Sequence, residues 1–146
     1  MEPRNRINFS LVSMHEEKFE MAENIATPVE SLRVQYLIET ELRPGSETVY
    51  VRTGIRYELG ADKICECILG IRYVIDDFDS VVSIDKDSKR INFTCDIMPT
   101  FWSITYGALR GVLFEKVKNT PLEAFPLPLL SMEELGKINQ FLVLGG

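Results

Sequence analysis

Residues 49–75 read VYVRTGIRYELGADKICECILGIRYVI, and the alternation within this stretch decides the fold. Val49, Val51, Ile55, Tyr57 and Leu59 fall on one side of an extended chain, with Arg52, Arg56 and Glu58 on the other. Leu59-Gly60-Ala61-Asp62 is a short turn, so Lys63 to Ile75 should fold back antiparallel as a hairpin. The return strand is apolar on both sides. Cys65, Cys67, Leu69, Ile71 and Tyr73 share one face, and Ile64, Ile68 and Val74 share the other. A strand of that kind is covered on both faces. Helices can cover one of them; a second subunit or a ligand is expected on the other.

Outward from the hairpin, Arg6 to Phe19 begins with Ile7, Phe9 and Leu11 at every second position, which predicts a strand. The polar run Glu20–Ser31, with Pro28, reads as a connection. Leu32, Val34, Tyr36 and Ile38 then face one way, and Arg33, Gln35, Glu39 and Glu41 the other, until Pro44-Gly45 sets up a turn. Beyond the hairpin, Asp76-Asp77-Phe78-Asp79 closes the strand with like charges. Asp85-Lys86-Asp87-Ser88 signals a turn, and Lys89 to Ile97 alternates as a further short strand would.

The period then changes. From Pro99 to about Asn119, apolar residues recur at helical spacing through Phe101, Trp102, Ile104, Ala108, Leu109, Val112, Leu113 and Val117. Lys116 and Lys118 suit the negative end of the helix dipole, and Thr120-Pro121 ends the helix. Pro126 and Pro128 enforce an extended link. Ser131-Met132-Glu133-Glu134 is a capping box for a last short helix whose buried face is expected at Leu135, Ile138, Phe141 and Leu142. The fold class is therefore α+β: residues 1–146 form one domain, a four-stranded antiparallel sheet with room for one extra short strand, packed by a long helix and a short C-terminal helix.

Composition narrows the function. Apolar residues make up 45% and charged residues 26% of 146 residues, the balance of an ordinary globular protein with one core. The net charge of −6 argues against a nucleic-acid binder, which would need a basic footprint. No apolar segment follows Met1-Glu2-Pro3 and no run could span a bilayer, so neither a signal peptide nor membrane insertion is expected. Three cysteines, an odd number, suit reduced thiols in a cytoplasm.

The element order has a parallel. Four strands, a long helix, a proline-containing link and a short last helix follow the order of the SecB family of export chaperones. Tyr106-Gly107-Ala108-Leu109-Arg110-Gly111, Asn119-Thr120-Pro121-Leu122 and Leu127-Pro128-Leu129-Leu130-Ser131-Met132-Glu133-Glu134-Leu135 resemble that family's long helix with its arginine, its link and its proline-led entry to the last helix. Ile64-Cys65-Glu66 resembles a leucine-cysteine-glutamate on the family's central hairpin, displaced by one residue. Two features depart from the family: Asp79–Ile97 is longer and more strand-like than the helical segment expected there, and Leu144-Gly145-Gly146 stands where many members carry an acidic tail. The resemblance implies a homo-oligomeric dimer of dimers that binds unfolded or precursor polypeptides and docks an export motor ATPase.

Chemistry is sparse. His15 is the only histidine, so a histidine triad or multi-histidine metal site would need another chain. Cys65 and Cys67 lack the spacing and companions of a zinc site, and Asp76, Asp77, Asp79, Asp85 and Asp87 lack the glycine and terminal glutamate of an EF-hand. No glycine loop for a nucleotide is present, and no cofactor is expected. Arg110, within an apolar helix, should pair with a carboxylate or cap carbonyls.

What remains is surface. Phe101, Trp102, Phe125 and Leu127 are candidate walls of a peptide groove, although aromatics at helical spacing also serve as core. Ile64, Ile68, Gly107 and Gly111 are candidates for a subunit interface, since each helical glycine costs roughly 1 kcal/mol against alanine and calls for a close contact, within the chain or across subunits. Glu58 and Glu66 are candidates for docking a basic partner. The expected function is an ATP-independent holdase-type chaperone without catalysis, serving secretory precursors or a dedicated partner such as an unstable antitoxin. The alternative is a small-molecule-binding protein or a hotdog-like enzyme on a similar scaffold.

Overall fold

Strands β3 (Thr48–Leu59) and β4 (Asp62–Ile75) form the hairpin that residues 49–75 lead one to expect, turning at Gly60, whose φ of 60° is left-handed. This computed structural model describes residues 8–23, 25, 32–43, 45–85, 87, 90–93 and 97–143. The expected strand start at Arg6, the connection around Pro28, and Lys89 and Cys95 of the short strand lie outside them. β1 (Phe9–Met21) pairs antiparallel with β4, and β2 (Leu32–Leu42) pairs antiparallel with β3. The sequence places these four strands correctly, with β1 running two residues past the expected Phe19.

The sheet has a fifth strand. Helix α3 (Met132–Ile138) starts at the capping box, with the Ser131 hydroxyl accepting from the Glu134 amide at 3.1 Å. It stops at Ile138, and Asn139–Val143 continues as β7, parallel to β2, giving the order β1-β4-β3-β2-β7. Phe141 and Leu142, expected on a helix face, are strand residues. The free edge of β2 offers backbone partners that two more residues of helix would not have had.

Between the hairpin and the long helix, a short α1 (Phe78–Val81) leads into β5 (Val82–Asp85) and β6 (Arg90–Phe93), a separate two-stranded sheet. The expected extra strand is thus present in part, outside the main sheet. The long helix α2 (Met98–Lys116) lies on one sheet face and buries Met98, Phe101, Trp102, Thr105, Tyr106, Leu109 and Leu113. Its C-terminal Lys116 pairs with Glu16 at 2.8 Å and lies over the Phe19 ring, which ties the helix to β1.

A bulge overturns one face assignment. Tyr57 pairs with Cys65 and Glu58 with Lys63, so Ile64 is the extra residue. Simple alternation puts Ile64 opposite Cys65; the bulge turns it into the core, where it is 6% exposed. Ile64 is therefore spent inside its own subunit. Ile68 does lie on the face away from the helix, but it is half-buried against Gly54, where an added Cβ would come within 3.0 Å of its Cγ1.

Candidate functional site

The link after α2 is the most distinctive surface. A 3₁₀ turn, Pro121–Ala124, leads into Phe125-Pro126-Leu127-Pro128. The prolines supply no backbone donors, so this segment cannot join a sheet through them. Its carbonyls are held from below instead. The Tyr57 hydroxyl donates to the Phe125 carbonyl at 2.8 Å, Arg110 Nε to Leu127 at 3.2 Å, and the Tyr106 hydroxyl to Pro128 at 2.8 Å. Burial pushes the pKa of Tyr57 and of Tyr106 well up, so both remain donors throughout the ordinary pH range. Arg110 thus caps a carbonyl, one of the two roles its position implied.

Cavities flank the link on both sides. One, of about 320 Å³, lies between it and the outer face of α2, lined by Gly107, Arg110, Gly111, Phe114, Phe125 and Pro126 among others. The other, of about 340 Å³, lies toward β2 and is lined by Leu32, Val34, Tyr57, Phe125, Leu127 and Pro128 among others. Phe125, half-buried, borders both. These walls are mostly apolar, and they include Leu32 and Val34, whose place beside the link could not be read from their spacing.

The structure divides the four candidate wall residues. Phe125 lines both cavities, and Leu127 lines them with a side chain that is itself buried. Phe101 and Trp102 are core. Phe101 is 0% exposed and stacks on Tyr73 with ring centroids 4.1 Å apart. Trp102 is 8% exposed, and its indole N–H donates to Thr40 Oγ1 at 2.8 Å. At helical spacing, the core role won for both.

Gly107 and Gly111 face outward, and a Cβ on either would meet open space. With Ile104 and Phe114, the latter 56% exposed, they leave the outer face of α2 uncovered. The outer edge of β1 carries no strand among the described residues, and Leu11, Val12 and Met14 on it are exposed.

The sheet face away from α2 is charged but self-satisfied. Arg52 is held by Glu17 at 3.0 Å, Glu39 at 3.0 Å and Glu41 at 2.9 Å, and the Tyr50 hydroxyl donates to Glu17. Glu66 is the mirror case, buried among Lys18 at 2.6 Å, Arg56 at 2.9 Å and Lys63 at 3.2 Å. The Lys18 hydrogen bond first, then those of Arg56 and Lys63, outweigh burial and pull the Glu66 carboxyl down to about 2. A basic partner would have to displace three cations to reach it. Glu58 is half-buried, one carboxylate oxygen lacking a hydrogen bond among the described residues.

Among the described residues, nothing in the groove has the geometry of acid–base chemistry. Its described ionisable groups, Arg110, Glu123 and Tyr57, bind the Leu127 carbonyl, the Asn119 amide and the Phe125 carbonyl respectively. Burial pushes the Cys65 thiol to about 12 and the Cys67 thiol to about 11, so neither is a ready nucleophile. Among the described residues no group of three or more His, Cys, Asp or Glu is placed to hold a metal, and no helix is long and apolar enough to cross a membrane.

A mixed sheet carrying a long helix and a proline-rich link on one face defines the class: the chain has a SecB-like fold, in a divergent form. It superimposes on a SecB-like chaperone of Mycobacterium tuberculosis, solved in complex with a ChAD peptide from an antitoxin, with a TM-score of 0.56 over 84% of this chain and 90% of that one, at 10% identity. A protein of unknown function from Streptococcus agalactiae aligns over 86% of this chain and 98% of that one, with a TM-score of 0.42 and 10% identity. No protein-family model and no curated protein matches the sequence.

Proposed function

We propose that this protein is an ATP-independent holdase-type chaperone that binds extended segments of non-native polypeptide along the groove on either side of Phe125. The observation that carries the reading is the link itself, stretched across the helix-bearing face by three side-chain hydrogen bonds to its carbonyls, with apolar cavities left open beside it. Affinity comes from apolar side chains buried in those cavities, and breadth of specificity from a groove with few polar groups to satisfy. The reading is of a binding protein, not an enzyme. Its clients are unfolded chains in the cytoplasm, either secretory precursors or a dedicated partner such as an antitoxin.

Assembly belongs to the same proposal. The outer face of α2 around Gly107 and Gly111 suits close packing against a second copy, and the edge of β1, unpaired among the described residues, suits strand addition. Both together give a dimer of dimers, in which a neighbouring subunit forms the outer wall of the cavity beside Phe114. Docking of an export motor through Glu58 remains part of the reading; Glu66 has no charge to spare for it.

The test is aggregation of a chemically unfolded model protein, followed by light scattering without nucleotide. Substoichiometric to equimolar amounts of the chain should delay it. No delay, together with binding of a small metabolite in the Phe125 cavities, would replace the chaperone with the small-molecule reading.

A further inference from the structure

The two edges of the sheet are treated differently. Among the described residues the edge at β1 carries no strand, whereas the edge at β2 is covered by the chain's own β7. That cover is lightly held. No residue of β7 is fully buried, and Leu135 is the only buried residue of α3, which tethers it. The pairing is parallel and five residues long, the less stable of the two ladder types. Phe141 sits 6.1 Å from Trp102 and 5.7 Å from Phe93 yet stays 41% exposed. At the junction the Asn139 side chain accepts from the Thr40 hydroxyl at 2.7 Å, while its amide nitrogen is buried without a partner among the described residues. Regions with few buried contacts and imperfect polar satisfaction open first.

The chemistry of β7 is that of a client. Asn139-Gln140-Phe141-Leu142-Val143 is extended, uncharged and apolar at its end, with one aromatic residue against the core. Peeling it away exposes the backbone groups of Ile38–Leu42 and uncovers one side of Trp102. An extended chain can add there through main-chain hydrogen bonds, with a side-chain pocket for a residue at the Phe141 position.

We infer that the β2 edge from Ile38 to Leu42 is a second polypeptide-binding site, occupied at rest by β7, which yields it to an extended apolar segment of a client. The inference rests on the holdase reading for the nature of the client, but it concerns a different place on the molecule. β7 is then a resident competitor, and the apparent affinity of the edge is set by how often β7 lets go.

The test uses the full chain and a fluorescein-labelled peptide with the sequence of residues 138–143. Its control carries proline at the 140 and 142 positions, which keeps the phenylalanine but not the strand. Anisotropy reports binding, and Trp102, the only tryptophan, reports the edge itself. Phe141→Ser should bind the peptide about tenfold tighter than the unmodified chain, by raising the open fraction. Glu39 and Gln140 are paired across the ladder, so Glu39→Cys with Gln140→Cys, in a chain carrying Cys95→Ser, should lock β7 when oxidised. With the Phe125 groove disabled by Phe125→Ser, which should leave edge binding intact, the locked chain should not bind; reduction should restore binding. In the same background the proline peptide should not bind. Equal binding by the locked and reduced forms, or its loss in Phe125→Ser, would overturn the inference and leave β7 as an edge guard. The locked form keeps the question decidable even should Phe141→Ser fail to fold. An unfolded model protein that binds no variant, while the peptide still exchanges at the edge, would defeat the holdase reading alone.

Discussion

The hydroxyl of Tyr57, in the central strand, donates to the carbonyl of Phe125, in the link, at 2.8 Å. Tyr57→Phe removes the donor while keeping the ring. It should cost about 1 kcal/mol of stability, the net worth of a typical hydrogen bond. It should also loosen the link and weaken client binding more than the stability loss explains. Urea unfolding, compared with anisotropy of a labelled unfolded protein, separates the two effects.

Phe125→Ser should weaken binding of unfolded polypeptide by roughly tenfold or more, since fully burying a phenylalanine is worth about 1.5–3 kcal/mol. Circular dichroism should not change, because Phe125 is only half-buried. Trp102 is no reporter for this groove, being buried beside Thr40 and Phe141, so the client must carry the label.

Gly107→Leu should reduce the assembled mass in light scattering at micromolar concentration. A Cβ at Gly107 meets open space within one subunit, so the substitution should leave the monomer folded. A wild-type mass equal to one chain, or an unchanged mass in the variant, would take α2 out of the interface.

The Glu66 cluster gives a pH signature. Its folded pKa of about 2 lies below the ordinary 4.5, so it contributes stability that is present above about 4.5 and lost as pH falls toward 2. Glu66→Gln should therefore be less stable than wild type at neutral pH, and the difference should shrink through that window in thermal melts. A constant difference across the window would mean that the charge of Glu66 is not what the cations hold.

Gly70 lies under the Tyr50 hydroxyl, and a Cβ there would collide with the tyrosine and press on the Glu17 carboxylate. Gly70→Ala should cost about 1–3 kcal/mol, as overpacking in tight sites does. The loss should be smaller in a Tyr50→Leu background, measured as a double-mutant cycle.

The hairpin was legible because Val49 to Tyr57 alternates cleanly and Gly60 marks the turn. The last helix was legible at its start because a capping box is a local device, and Arg110 because a charge in an apolar stripe needs an acceptor. Ile64 was misplaced because a bulge shifts alternation without leaving a mark in composition. Phe141 was misplaced because its partner, the edge of β2, lies far away in sequence. Phe101 and Trp102 could not be told from groove residues by spacing alone. What decided them was tertiary: a ring stacked on Tyr73 for one and a hydroxyl from Thr40 for the other. Of the cavity linings beside the link, Phe125 and Leu127 were visible through the prolines around them. Leu32 and Val34 were not, because nothing local says which helix or link covers a strand.

Ile38 and Asn139 pair across about a hundred residues of chain, whereas Leu59 and Asp62 close the central hairpin locally. Loop-closure entropy therefore sets an order of events in folding, in which the hairpin forms early and the outermost parallel strand docks late. Until it docks, β2 presents a bare edge to every other chain in solution. Refolding at high concentration should accordingly yield exchanged dimers whose β7 strands have crossed over, and dilution before refolding should suppress them.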